Sequence, residues 1–226
     1  MSKNKLLVIE AHSDDSAISC LGYLEKYKDE YELHFILATV SDIHMHHCGD
    51  LTRDERLKEY EAYIQYLGGI WHRNDIIPFD ADAKMDLIPK RDVVAQFEKV
   101  ISKVEPEILI MQGPSFHHDH TIVYEAVIAA TRPTARHCPN EMLIMENPTY
   151  VHSIGPSTDF KPSTYCALSE EEMNRKLDTF QKFFPSQIRE SKNYLSREGI
   201  AVWGRYRGIE CRSLYAEAFQ TYIRVI

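Results

Sequence analysis

The sequence predicts an α/β fold: a three-layer, Rossmann-like, mainly parallel sheet with helices on both faces. Three observations carry this. Short apolar runs rich in branched side chains, at residues 6–9, 33–38 and 108–111, have the length and composition of buried strands. Stretches with helical spacing of apolar residues lie between them. Two of the strands end in clusters of imidazoles and carboxylates, His12-Ser13-Asp14-Asp15 and His117-His118-Asp119-His120. In an open parallel sheet, ligands collect just beyond the carboxyl ends of the strands.

The elements follow in order. After the first strand, Asp14 or Ser16 starts a helix that reaches about Tyr27. Small polar side chains accept hydrogen bonds at a helix start, and carboxylates suit its positive end. A second strand covers 33–38, and a polar loop 41–51. Thr52 is an N-cap, with Glu55 placed to close a capping box. Leu57, Tyr60, Ile64 and Leu67 keep one apolar helix face, and Gly68-Gly69 ends it. Residues 76–79 predict a third strand in spite of Pro78. A helix over 92–104 turns Val93, Val94, Phe97, Val100, Ile101 and Val104 inward, and Pro106 prevents its continuation.

Next come a strand at 108–111, a helix at 122–131 and a strand at 142–145. Residues 147–163 hold three prolines and no period, which predicts a surface excursion or a loop over the crevice. A strand at 164–168, a helix at 169–183, a break at Pro185, more helix over 188–206 and a final strand at 218–225 complete the chain. With no repeat and no linker, residues 1–226 are expected to form one domain.

Composition narrows the function. A net charge of −8 disfavours nucleic acid as a partner, because phosphate binding needs a basic footprint. No apolar run approaches the roughly 20 residues needed to span a bilayer, and the first residues do not read as a secretory signal, so a cytoplasmic protein is expected. Five scattered cysteines without a C-x-x-C spacing suit free thiols in a reducing compartment. Of the 11 histidines, six fall between 44 and 47 or between 117 and 120.

Imidazole and carboxylate together suit zinc, and a catalytic zinc keeps three protein ligands and an open position. Two ligands from the first strand end and one histidine from the second cluster make such a set, and the leftover carboxylate is a natural general base. Read blandly, the first cluster is a helix start with capping carboxylates, and the second a solvated loop entering a helix. The histidines of 44–47 are expected to belong to a polar loop, rather than to a pocket rim or a second metal site. Arg56 and Glu59 stand at the spacing of a surface ion pair. Asp80, Asp82 and Asp86 read as solvated loop acids, and Trp71 and Trp203 as packing.

The spacing and context resemble the PIG-L/LmbE family of zinc-dependent N-acetylglucosaminyl deacetylases, whose members carry His-Pro-Asp-Asp and later His-Pro-Asp-His. Here Ser13 and His118 replace the prolines. Arg56-Leu57-Lys58-Glu59 leading to Leu67-Gly68, the acidic segment 82–86, Lys176, Ser186-Gln187 and Tyr215-Ala216-Glu217-Ala218-Phe219 extend the likeness over nearly the whole chain.

The resemblance implies an LmbE-like fold and a role for each matching residue. His12, Asp15 and His120 would hold the metal, zinc or else another divalent ion such as iron(II). Asp14 would be the general base and His117 the group that polarises the amide. Asp119 would orient an imidazole. Arg56 and Asp82 would bind the sugar. The implied partner is a small amino-sugar substrate, with self-association left open. The altered segment 42–48 allows a different amide, such as a thiol conjugate or antibiotic precursor. Two rivals lie outside this activity: a receiver-like signalling domain, which leaves His12, His117 and His120 without a task, and a metal-binding protein without activity.

Overall fold

In the computed structural model of the chain, residues 3–148 and 160–226 are described. They run β1 (Asn4–Glu10), α1 (Asp15–Ser19), α2 (Leu21–Tyr27), β2 (Tyr31–Leu37), β3 (Ile43–Met45), β4 (Gly49–Leu51), α3 (Arg53–Leu67) and β5 (Ile70–Trp71). There follow α4 (Lys90–Val104), β6 (Ile108–Gln112), α5 (His118–Ala130), β7 (Glu141–Met145), β8 (Thr164–Leu168), α6 (Glu170–Phe183), α7 (Arg197–Glu210) and β9 (Tyr215–Arg224). The main sheet has the order β5-β2-β1-β6-β7-β9-β8. Its β1, β2, β5, β6 and β7 pair in parallel, and β9 runs antiparallel between β7 and β8. The expected mainly parallel α/β fold is therefore present.

Strand alternation distributes the core. Leu6 and Val8 pack with Ala17 and Leu24, with Tyr60 and Ile64 of α3, and with Leu177 and Phe180 of α6. Leu7 and Ile9 face the other way, onto Phe97 and Val100 of α4 and Val123 and Val127 of α5. A strand covered on both faces needs apolar residues at consecutive positions, which explains the uninterrupted run 6–9.

Capping chemistry is as the sequence indicates: Thr52 and Glu55 close a capping box on α3, and Gly68 ends that helix in the left-handed region with φ 66°. Several elements differ from expectation. The first helix breaks at Cys20, whose backbone (φ −140°, ψ 20°) is not helical, so α1 and α2 are separate. The loop 41–51 folds into the β3–β4 hairpin. Residues 76–79 form no strand: Phe79 makes one isolated parallel bridge with Thr39, while Ile70–Trp71 supplies the edge strand β5. Pro78, with no N–H to donate, suits this irregular segment. Helix α7 starts at Arg197, capped by Ser196, rather than continuing from 188. Most of the expected excursion at 147–163 lies outside the described residues. All five cysteines are free thiols, and among the described residues no helix is long and apolar enough to cross a membrane.

Candidate active site

The chain moves from β1 outward to β2, then crosses back to lay β6 on the other flank of β1, so the strand order reverses there. Such a reversal opens a crevice at the carboxyl edge. β1 and β6 stay in register to the pair Ile9–Met111, and the segments that follow them carry the two clusters. His12 lies in the turn into α1, Asp14 is its N-cap and Asp15 its first residue. His117 caps α5, and His118, Asp119 and His120 are its first turn. α5 thus begins four residues earlier than its apolar period suggests, and the solvated-loop reading fails because Asp119 and His120 are buried.

Side-chain contacts join the clusters. His12 Nδ1 lies 3.1 Å from His120 Nε2 and 3.6 Å from Asp15 Oδ2, and His120 Nε2 lies 3.4 Å from Asp15 Oδ1. Donor atoms around a tetrahedral zinc, each about 2.0–2.1 Å from it, stand about 3.3–3.4 Å apart. The three residues form a triangle with edges of that order, its Asp15 corner split between Oδ2 toward His12 and Oδ1 toward His120. Two other groupings, His12–His117–His120 and His12–Asp82–His117–Asp119, bring one ligand atom from each residue within 4.8 Å of one another.

Each corner of the triangle is held from behind. His12 Nε2 bonds Asp119 Oδ2 at 3.0 Å, which leaves Nδ1 turned toward His120. Asp119 in turn accepts the backbone N–H groups of Ala83 (2.7 Å) and Met85 (3.0 Å). Ala83 takes a left-handed φ of 59° in the turn that presents its N–H. His120 Nδ1 pairs with Ser115 Oγ at 3.0 Å. Asp15 accepts His12 N–H at 2.7 Å, the Gln112 amide, and the Asn147 amide at 3.1 Å. A carboxylate or hydroxyl behind a ligating imidazole fixes its tautomer and direction.

Asp14 makes no side-chain capping bond, contrary to the bland reading of this turn, and lines the pocket instead. Burial, with the charge of Asp15 adding to it, pushes its carboxyl up to about 6. His117 Nδ1 accepts Asp119 N–H at 3.3 Å, so a neutral ring carries its proton on Nε2. Burial and the neighbouring His12 and His120 push His117 down to about 4 and keep it neutral. Burial works against a charged His12, yet its bond to Asp119 and the charges of Asp15, Asp82 and Asp14 raise it to about 9. The four aspartates draw positive charge into this corner.

Arg56 and Asp82 also line the pocket. Arg56 is buried and its Nη1 bonds Asp82 Oδ2 at 2.5 Å and Ser41 O at 2.8 Å. Asp82 is therefore a buried ion-pair partner, 3.5 Å from His12 Nε2, and not a solvated acid. Glu59 turns away to accept the Ser186 hydroxyl at 2.6 Å. His118 is exposed, and Ser13 is buried. From the β3–β4 hairpin it is Ile43 and Met45 that reach the pocket, while His44 pairs with Asp50 and His47 bonds Ser186 O. The pocket, about 240 Å³, is completed by Asn147, Gln187, Arg189 and Leu195.

Sequence reasoning missed Gln112, Ser115 and Asn147. One signal was available: Gln112 is a polar residue closing an otherwise apolar inner strand, at the edge where chemistry collects.

A profile of the PIG-L family, described as GlcNAc-PI de-N-acetylase, matches residues 7–131, more than half of the chain and the span holding both clusters. The chain belongs to the PIG-L family. Membership displaces the receiver-like alternative. No curated protein matches the chain. Among solved structures, the PIG-L chain is similar to N,N'-diacetylchitobiose deacetylase from Pyrococcus horikoshii, at 18% identity over 96% of this chain and 83% of that one, with a TM-score of 0.74. It is also similar to a triple mutant of a deacetylase of the teicoplanin biosynthetic pathway, at 17% identity over 96% and 97%, TM-score 0.73. A 4-carboxy-2-hydroxymuconate hydratase from Pseudomonas putida KT2440 is as similar in shape, at 16% identity over 99% and 98%, TM-score 0.75. These likenesses establish the fold; a fold shared with a hydratase leaves the reaction to the site.

Proposed function

We propose that this PIG-L chain is a metal-dependent N-deacetylase that removes an acetyl group from an N-acetylglucosamine-type amino sugar or its conjugate, as a single cytoplasmic domain. The observation that carries this is the His12–Asp15–His120 triangle beside a carboxyl of raised pKa in a pocket. Two imidazole nitrogens and a carboxylate oxygen fit zinc, and iron(II) is the alternative ion. A dication held by His12, Asp15 and His120 supplies Lewis acidity toward an amide carbonyl and acidifies a water.

The remaining steps belong to side chains. Asp14 accepts a proton from the attacking water and returns it to the departing nitrogen, so that an amide and water become acetate and a free amine. A proton acceptor near 6 is ionised at neutral pH yet basic enough for this exchange. Neutral His117 offers its Nε2–H to the carbonyl oxygen as negative charge develops there. Asp119 holds the tautomer of His12. Arg56 and Asp82 meet sugar hydroxyls at the pocket wall.

The apolar outer wall of Ile43, Met45 and Leu195 favours a second reading, an amino-sugar conjugate carrying a larger substituent. Acetate release from a panel of N-acetylated sugars and conjugates decides between them, and its absence from the whole panel would indicate a metal-binding protein without activity. The Asp14→Asn variant should lose about 10²–10⁴-fold in kcat while keeping its metal content. Activity within threefold of the parent would refute the assignment of the base.

A further inference from the structure

We infer that Gln112 is a positioning residue that makes Asp15 a one-oxygen ligand, an inference that rests on the metal-centre reading above. A carboxylate offers about four lone-pair directions, two on each oxygen. On Asp15, Oδ2 takes two donors, His12 N–H at 2.7 Å and the Gln112 amide. Oδ1 takes the Asn147 amide at 3.1 Å and faces His120 Nε2 at 3.4 Å. Oδ2 is thereby occupied by two protein donors, with His12 Nδ1 3.6 Å away, and Oδ1 keeps a direction toward His120.

The orientation of the Gln112 amide is fixed by its two partners. Its Oε1 accepts Ala11 N–H at 2.7 Å, so its NH₂ faces Asp15. The β1–β6 ladder ends at Ile9–Met111, and the side chain of Gln112 takes the next N–H on β1's side. One amide thus ties the strand end to the carboxylate, and it is 1% exposed. The backbone N–H of His12 and the amides of Gln112 and Asn147 are neutral donors to Asp15. Uncharged donors orient the carboxylate without neutralising it. With two imidazoles, a single oxygen fills three positions and leaves a fourth open, as catalytic zinc sites require; a second oxygen would take it.

The test uses the full-length chain loaded with cobalt(II), whose visible absorption is strong in four-coordinate sites and weak in higher coordination, and with zinc in competition with a chelator. Gln112→Met removes the donor at similar length. Gln112→Glu keeps an acceptor for Ala11 N–H and also removes the donor, so it serves where methionine disturbs the strand end. The cobalt band should fall about twofold or more in both variants as Asp15 swings to use both oxygens. Zinc affinity of the methionine variant should change by about 10–100-fold. A cobalt band unchanged from the parent in both variants would overturn the inference. A parent that binds neither ion would instead sink the metal-centre reading itself.

Discussion

Replacing Arg56 by methionine isolates the buried ion pair in the pocket wall. The Arg56 and Asp82 side chains are 4% and 8% exposed and meet at 2.5 Å. At an effective dielectric of about 20, unit charges at that separation attract by about 7 kcal/mol, most of it offset by the cost of desolvating both. Removing one partner exposes that cost, about 3–5 kcal/mol, because the other charge stays buried. Asp82 retains His12 Nε2 at 3.5 Å, which places the loss at the lower end, about 3 kcal/mol. For a chain of this size, that lowers Tm by about 6–12 °C. Urea unfolding followed by fluorescence should show a lower midpoint at an unchanged slope. The double variant Arg56→Met, Asp82→Asn should recover at least half of the loss, since it leaves no orphaned charge. A cost below about 1 kcal/mol for Arg56→Met would refute the reasoning, because only a solvated pair is worth so little.

Two further outcomes follow from other parts of the molecule. Burial depresses His34, which sits between Glu32 (2.8 Å) and His72 (3.0 Å). The unfolded chain takes up a proton near pH 6.5 that the folded chain still refuses, so stability should fall as pH drops below about 6.5. His34→Gln should flatten that slope in denaturation curves at pH 5.5 and 7.5; an identical slope would show that other groups set it. Zinc at 100 times its dissociation constant should stabilise the parent by about 2.7 kcal/mol, a rise in Tm of about 5–11 °C. A chelator should reverse the rise and Asp15→Asn abolish it, and a Tm indifferent to zinc would count against the metal centre.

The parts of this fold written as local chemistry were readable in sequence. Thr52 with Glu55, Gly68 after Leu67, and the uninterrupted apolar run of β1 each specify their element through their own side chains. What was misread depends on distant partners. Residues 76–79 look like a strand, yet the place beside β2 is taken by Ile70–Trp71. The start of α5 was hidden because its first turn is built of polar residues whose burial comes from β1 and from the turn at 83–85. Asp82 reads as a solvated acid until Arg56, 26 positions away, is seen to cover it. Both imidazole–carboxylate clusters were visible as clusters. Gln112 showed only as a polar end to an apolar strand, and Ser115 and Asn147 not at all, because an amide or hydroxyl acquires its meaning only from what it faces.

The pocket is assembled from two lengths of chain with different duties. The imidazoles and aspartates all fall between 12 and 120, inside the span that the family profile covers, whereas Asn147, Gln187, Arg189 and Leu195 come from beyond it. The β3–β4 hairpin reaches across this division, with His47 and Cys48 both resting on the carbonyl of Ser186. On the proposed reading, the groups that break the bond are encoded in the first half of the gene product, steadied by the Asn147 amide on Asp15, and tolerance for what hangs from the sugar in the second. A hybrid that keeps residues 1–131 and borrows its remainder from a related enzyme would be expected to carry over the reaction and exchange the clientele.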